Sequence, residues 1–141
     1  MSNGRFTRSD KIVCYQRSRT RMQRDEQLRG NRQFVKREGG NPANVIVIDD
    51  AGSSATFPRP GLLQLLDLID GRQVTALVVA DLSRLTRYAE RWLALFKRLQ
   101  RNKIRLCSVD GFDSFQKGAK LYFAIKTAIE NALPKDAGAG T

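Results

Sequence analysis

The stretch KIVCYQRSRT (residues 11–20) joins an apolar run to a basic, polar one. Its first seven residues form a short run with β-branched and aromatic side chains, which predicts a buried β-strand rather than a helix. From Thr20 to about Lys36 the chain is polar and rich in good helix formers, and Ser18 or Thr20 is suited to cap the start of a helix. A strand that leads directly into a helix is the repeating unit of α/β domains.

The same alternation continues along the chain. Further strands are predicted at VIVID, VTALVVA and KIRLCSVD (45–49, 74–80 and 103–110), and further helices at 62–70, 88–102 and 119–133. Four strands that alternate with four helices predict an α/β fold, in which a mostly parallel sheet of four to five strands has helices on both faces. We expect one domain over residues 11–133, a flexible arm before it (1–10) and a disordered tail after it (134–141).

The charge of the chain favours a polyanionic partner. Its 141 residues carry a formal net charge of +11 at pH 7, and 17 of its 25 basic residues are arginine. Arginine forms planar, bidentate contacts with phosphate groups, whereas lysine acts more as a point charge. A basic protein of this size most often binds nucleic acid, so DNA or RNA is the expected partner. An acidic protein partner and simple solubility are the alternatives.

Several classes of protein are disfavoured by what the sequence lacks. It contains no histidine, which removes the usual general base and the commonest metal ligand. Cys14 and Cys107 both lie in apolar runs, so we expect small, buried, reduced residues rather than a disulfide or a metal site. No apolar run approaches the length of a membrane span, and the polar first residues do not resemble a secretory signal. We therefore expect a cytoplasmic protein.

Polar side chains gather where the predicted strands end. In a parallel sheet the ligand crevice lies beyond the carboxyl ends of the strands. Three strands are followed by arginines, hydroxyls and carboxylates at these ends: Arg17, Ser18, Arg19; Asp50, Ser53, Ser54, Arg59; Asp81, Ser83, Arg84, Arg87. Any one of these arginines could be an ordinary surface residue. Together, without a glycine-rich phosphate loop, they suit a phosphodiester better than a nucleoside triphosphate.

The order and spacing of these motifs resemble the catalytic domain of the serine recombinases, the resolvases and invertases. The similarity runs from about residue 11 to 133, through Tyr15-x-Arg17, Gln23, Asp50-x-Gly52-x-Ser54, RPGLLQLLDLI (59–69) and VVADLSRLTR (78–87). The resemblance implies a site-specific DNA recombinase, in which a serine hydroxyl attacks a DNA phosphate and forms a phosphoserine link. It also implies a homodimer that becomes a tetramer on DNA, and no metal or cofactor.

The resemblance further implies roles for individual residues. Four arginines match those that offset charge on the phosphorane: Arg17, Arg59, Arg84 and Arg87. Asp50 matches an acidic residue of the site, and Gln23 matches a polar residue on the first helix. Ser83 stands where the family commonly has an aspartate. The segment after residue 133 departs from the family, whose members continue into a long helix and a DNA-reading domain, so we expect poor sequence-specific recognition.

The position of the nucleophile is the main departure from the family. The family pattern is Tyr-x-Arg-x-Ser, and this chain has Arg19 where that serine stands. Because side chains alternate along a strand, Arg17 and Arg19 should share a face and Ser18 should point away from it. A guanidinium stays protonated and has no lone pair with which to attack phosphorus.

Several interpretations of this departure stay open. The chain is a recombinase domain that has lost cleavage and acts as a DNA-binding or regulatory module, or Ser18 turns into the site because the strand ends at Arg17. Another hydroxyl, that of Thr20, Ser53 or Ser54, is a further candidate nucleophile. For Ser18 itself we favour a role as the N-cap of the first helix. A flavodoxin-like or receiver-like domain that binds a small phosphate compound is the remaining alternative.

Overall fold

The computed structural model describes residues 4–51, 60–82, 89–116 and 118. Four strands are found there: β1 Ile12–Ser18, β2 Val45–Ala51, β3 Ala76–Val79 and β4 Arg105–Ser108. The helices are α1 Arg21–Arg37, α2 Pro60–Asp70 and α3 Ala89–Arg101, with a 3-10 turn at Pro42–Asn44. None of the described helices is both long and apolar enough to cross a membrane. The predicted helix at 119–133 and the tail lie outside the described residues.

The four strands form one parallel sheet in the order β2-β1-β3-β4. Ile12 in β1 is paired with Val45 on one side and with Ala76 on the other, so β1 is an interior strand. This arrangement confirms the predicted α/β fold with a parallel sheet. β3 and β4 are shorter than predicted because Val74 and Ile104 are buried in the irregular connections that precede the strands. A hydrophobic run alone does not distinguish a buried turn from a strand.

The sheet is covered on both faces, as predicted. Alternate residues of β1 enter two separate apolar clusters because strand side chains point to opposite faces. Val13 and Tyr15 pack with leucines of α2 and α3, whereas Ile12 and Cys14 pack with Phe34 of α1. Cys14 and Cys107 are both free and buried, and burial raises the pKa of each thiol to about 12. We refer below to the α1 face and the α2/α3 face of the sheet.

Phe6, which lies in the segment predicted as an arm (residues 1–10), packs against the domain. Phe6 is buried within the cluster on the α1 face, and its ring meets that of Phe34 edge to face at 6.1 Å. The Phe6 backbone N–H donates to the Glu38 carbonyl at 2.9 Å. A single aromatic residue in a polar segment has no hydrophobic period, so the sequence pattern could not reveal this anchor.

A buried carboxylate ties this segment to the loop after β4. Both oxygens of Asp113 accept hydrogen bonds from the Arg105 guanidinium, at 3.0 and 2.8 Å, and Arg5 Nε lies 3.1 Å from the same carboxylate. Burial alone would raise the pKa of Asp113, but its hydrogen bonds from Arg105 and the Phe115 backbone, with the charge of Arg5, lower it. The two arginines therefore satisfy a charge that would otherwise be costly to bury.

The packing of the N-terminal segment is tested by truncating Phe6. We expect Phe6→Ala to lower the free energy of unfolding by roughly 3 kcal/mol, because it empties a filled site in the core. Phe115→Ala is the matched control, since Phe115 is 57% exposed, and it should cost less than about 1 kcal/mol. Urea denaturation of both variants measures the difference. Equal small losses would contradict the packed arrangement.

Candidate functional site at the carboxyl end of the sheet

The strand order places a crevice beside β1. The chain moves from β1 through α1 to β2 on one side, and then through α2 to β3 on the other side. The order therefore reverses between β1 and β3, which is where open α/β sheets bind their ligands. Arg17 and Ser18 are the last residues of β1 at this point, and Arg19 follows them. The half-buried Asp81 lies just beyond β3.

Part of the predicted site falls within the described residues. These are the residues at or just after the ends of β1, β2 and β3, together with those at the start of the first helix: Arg17, Ser18, Arg19, Thr20, Gln23, Asp50 and Asp81. The others lie outside the described residues, namely Ser53, Ser54, Arg59, Ser83, Arg84 and Arg87. Convergence of the arginines from three segments on one crevice thus stays a prediction.

Arg17 is held at the crevice by a residue that the sequence did not point out. The Arg17 backbone N–H donates to Gln27 Oε1 at 3.2 Å, and Gln27 Nε2 donates to the Arg17 carbonyl at 2.8 Å. Gln27 is buried on the inner side of α1, where it fixes the end of β1. In the sequence, Gln27 is marked only as a polar residue one helical turn after Gln23. Many polar helix residues share that spacing, so it could not identify Gln27 as a contact of Arg17.

Asp50 anchors the start of α2. Its carboxylate accepts hydrogen bonds from the backbone N–H groups of Gly61 and Leu62, at 2.6 and 2.9 Å. The Tyr15 hydroxyl donates to the same carboxylate at 2.5 Å. A carboxylate at a helix N-terminus satisfies backbone donors that have no partner within the helix. With three donors on a buried carboxylate, Asp50 is a structural anchor placed directly beside Arg17 in the sheet register.

Ser18 lies on the other face of the sheet from Arg17. It is the last residue of β1, is 4% exposed, and its hydroxyl is 3.5 Å from Asp49 Oδ1. Burial raises the pKa of Asp49, although Arg24 and hydrogen bonds from Gln16 and Ser18 lower it in part. β1 runs through Ser18 because this residue still pairs with Ala51 of β2. The alternative in which the strand ends at Arg17 therefore differs from the observed backbone.

Thr20, not Ser18, caps the first helix. The Thr20 hydroxyl accepts the Gln23 backbone N–H at 3.1 Å, and Gln23 Oε1 accepts the Arg19 N–H at 2.9 Å. Threonine followed three residues later by glutamine is a variant of the capping box. Our preference for Ser18 as the cap was wrong because the strand extends one residue further than predicted. Gln23 thus acts on the backbone, and the exposed Arg19 stands at the mouth of the crevice.

Comparison with known proteins identifies the family. The family described as "Resolvase, N terminal domain" matches residues 12–134 of this chain. The chain belongs to the resolvase family. This assignment confirms the resemblance to the catalytic domains of serine recombinases. No curated protein matches the chain by sequence.

Solved structures support the same fold for this resolvase-family domain. The N-terminal catalytic domain of TP901-1 integrase is 26% identical, with a TM-score of 0.72 over 85% of this chain and 93% of that one. A resolvase family site-specific recombinase from Streptococcus pneumoniae is 23% identical, with a TM-score of 0.68 over 87% of each chain. The catalytic domain of ISC1926 TnpA, an IS607-like serine recombinase, is 23% identical with a TM-score of 0.59, over 85% of this chain and 79% of that one.

The anchoring role of Asp50 is tested at Gly61. A Cβ atom on Gly61 would lie 2.6 Å from Asp50 Oδ1, so Gly61→Ala should destabilise the domain by about 2 kcal/mol. The control is Gly30→Ala within α1, where nothing lies within 4 Å of the new Cβ. That change should stabilise the domain by about 0.5–1 kcal/mol. Thermal unfolding compares the two, and a stabilising Gly61→Ala would refute the close contact.

Proposed function

We propose that this chain is a DNA-binding serine recombinase domain that does not cleave DNA by itself. The proposal depends on one observation: Arg19 occupies the position of the family's nucleophile, while the nearest serine, Ser18, is buried on the opposite face against Asp49. Cleavage through a phosphoserine requires a hydroxyl that can approach a phosphorus atom to within about 3–3.5 Å. A side chain enclosed between the sheet and α1 does not have that access.

Arg19 changes what this position does to a DNA phosphate. A guanidinium cannot act as a nucleophile, but it binds phosphate oxygens well through charge-assisted hydrogen bonds. Arg17 in β1 and Arg19 just after it therefore favour capture of the DNA backbone over attack on it. Phosphate contacts position a protein without reading the bases, so binding should tolerate many sequences. In this proposal the chain keeps the family's association into dimers, and into tetramers on DNA.

One observation favours a second candidate, an active recombinase that uses Ser18. The Ser18 hydroxyl lies beside Asp49, a carboxylate whose pKa is raised by burial and which could therefore accept a proton. This candidate requires β1 to open at Ser18, because the hydroxyl is enclosed in the observed structure. The first candidate, a domain that binds DNA without cleaving it, requires no such rearrangement and is therefore the better supported of the two.

The proposed absence of DNA cleavage is tested by covalent trapping. Radiolabelled suicide DNA duplexes with randomised central sequences are incubated with the wild-type protein and with Arg19→Ser, and adducts are separated on denaturing gels. We expect no adduct from the wild type. We expect an adduct from Arg19→Ser, because this change restores the pattern Tyr-x-Arg-x-Ser with Arg17 already in place.

Ser18→Ala, alone and combined with Arg19→Ser, is the control for this experiment. It should leave the Arg19→Ser adduct unchanged, since Ser18 faces Asp49. An adduct from the wild type that disappears in Ser18→Ala would establish the second candidate instead. Failure of both the wild type and Arg19→Ser to form an adduct would count against a recombinase site with only its nucleophile lost.

A further inference from the structure

The charge of the chain is distributed unevenly between the two faces of the sheet. Helix α1, the one helix on its face among the described residues, has six basic and two acidic residues. Helix α2, on the other face, has two acidic residues and no basic one. The adjacent helix α3 has four basic residues and one acidic residue, and its Arg98 is engaged in an ion pair with Asp70 of α2, so α2 and α3 together carry a formal charge of +1 against +4 for α1. A polyanion should therefore be drawn towards the α1 face.

Four of the basic residues of α1 form a stripe on its solvent side, which we call the α1 stripe: Arg21, Arg29, Arg32 and Lys36. Their spacing of eight, three and four residues places them on one side of a 3.6-residue helix. All four are exposed, and none forms an ion pair with a carboxylate of the described residues. Asp25 is the one acidic residue within the stripe.

The other two basic residues of α1, Arg24 and Arg37, differ from the stripe because both contact other residues of the domain. Arg24 Nε lies 3.8 Å from Asp49, and the Arg37 guanidinium lies over the Phe34 ring at 5.8 Å from its centroid. These two contacts give Arg24 and Arg37 a role within the fold. The four cations of the stripe have no such role in the described structure, so their charge is available to a partner.

The charge of the first turn of α1 also supports a binding role for this helix. Helix N-termini favour acidic residues because of the helix dipole, yet the first turn of α1 has none and begins with Arg21. The positive charge of Arg21 therefore disfavours the helix. Such a conflict with stability is expected where a residue serves binding rather than folding. Arg21 also follows Arg19 by only two positions, which makes the stripe continuous with the crevice at the end of β1.

We propose that the α1 stripe is a DNA-backbone contact surface that extends the crevice along α1. From Arg21 to Lys36 the stripe is about 22 Å long, at 1.5 Å per residue. This length matches roughly six to seven base pairs of one DNA strand. Three arginines and a lysine that are exposed along one side of a helix suit the regularly spaced phosphates of a duplex. The inference rests on the proposed function in that it assumes a DNA-binding protein.

The stripe is tested by the salt dependence of binding to a labelled duplex of mixed sequence. The test variant combines Arg29→Gln, Arg32→Gln and Lys36→Gln. The control variant removes equal charge from exposed residues of α3 and of the turn after α2, through Lys97→Gln, Arg101→Gln and Arg72→Gln. We expect the stripe variant to bind on the order of tenfold to a hundredfold more weakly and to lose about 2–3 from the slope of log K against log salt. The control should bind within about threefold of the wild type, with an unchanged slope.

Asp25→Asn is a second test variant, for which we expect tighter DNA binding. A misfolded protein would bind more weakly, so misfolding cannot produce this result. Removing the carboxylate within the stripe should tighten DNA binding by about twofold to fourfold at low salt and have less effect at high salt. Equal losses in the stripe and control variants would show that only net charge matters, and would overturn the proposal. A stripe variant that binds DNA as the wild type does but no longer self-associates would assign the stripe to a second copy instead. Absence of DNA binding by the wild type would refute the proposed function itself.

Discussion

Side chains alternate strictly along β1, and this alternation determines both the packing of the core and the side chains that reach the site. β1 is paired on both sides, so a shift in register would disrupt two strand interfaces at once. This register sends Tyr15 to the α2/α3 face and Cys14 to the α1 face. It places Arg17 and Ser18 on opposite sides of the sheet. A serine one position early in the sequence is therefore not a small displacement, because it lies on the wrong side of a sheet with helices on both faces.

The end of β1 is fixed from both of these faces. On one side, Gln27 of α1 pairs with both backbone polar groups of Arg17. On the other side, Tyr15 donates to Asp50, whose carboxylate also holds the first backbone N–H groups of α2. The same strand thus positions Arg17 and, through Asp50, the helix that follows Arg59 in the sequence. These hydrogen bonds fix the position of the β1 end relative to α1 and α2.

The sequence predicted the architecture well because apolar periodicity and strand–helix alternation are strong signals. The α/β fold, the parallel sheet and the coverage of both faces follow from runs such as KIVCYQR and VIVID. The details at the site depended on tertiary contacts. Ser18 and Thr20 are equally good caps in sequence, and the choice was decided by the pairing of Ser18 with Ala51. Phe6 and Gln27 gave no periodic signal, since each acts through contacts with one particular part of the folded chain.

A structure of the wild-type protein bound to duplex DNA would show whether this domain binds DNA without the geometry for cleavage. We expect a backbone phosphate at the crevice beside Arg17 and Arg19. We also expect the Ser18 hydroxyl to stay against Asp49 on the α1 face, with no hydroxyl in line with a phosphorus atom, which is the arrangement of a domain that binds DNA without cleaving it. A Ser18 Oγ found within about 3.5 Å of phosphorus, in line for displacement, would contradict it.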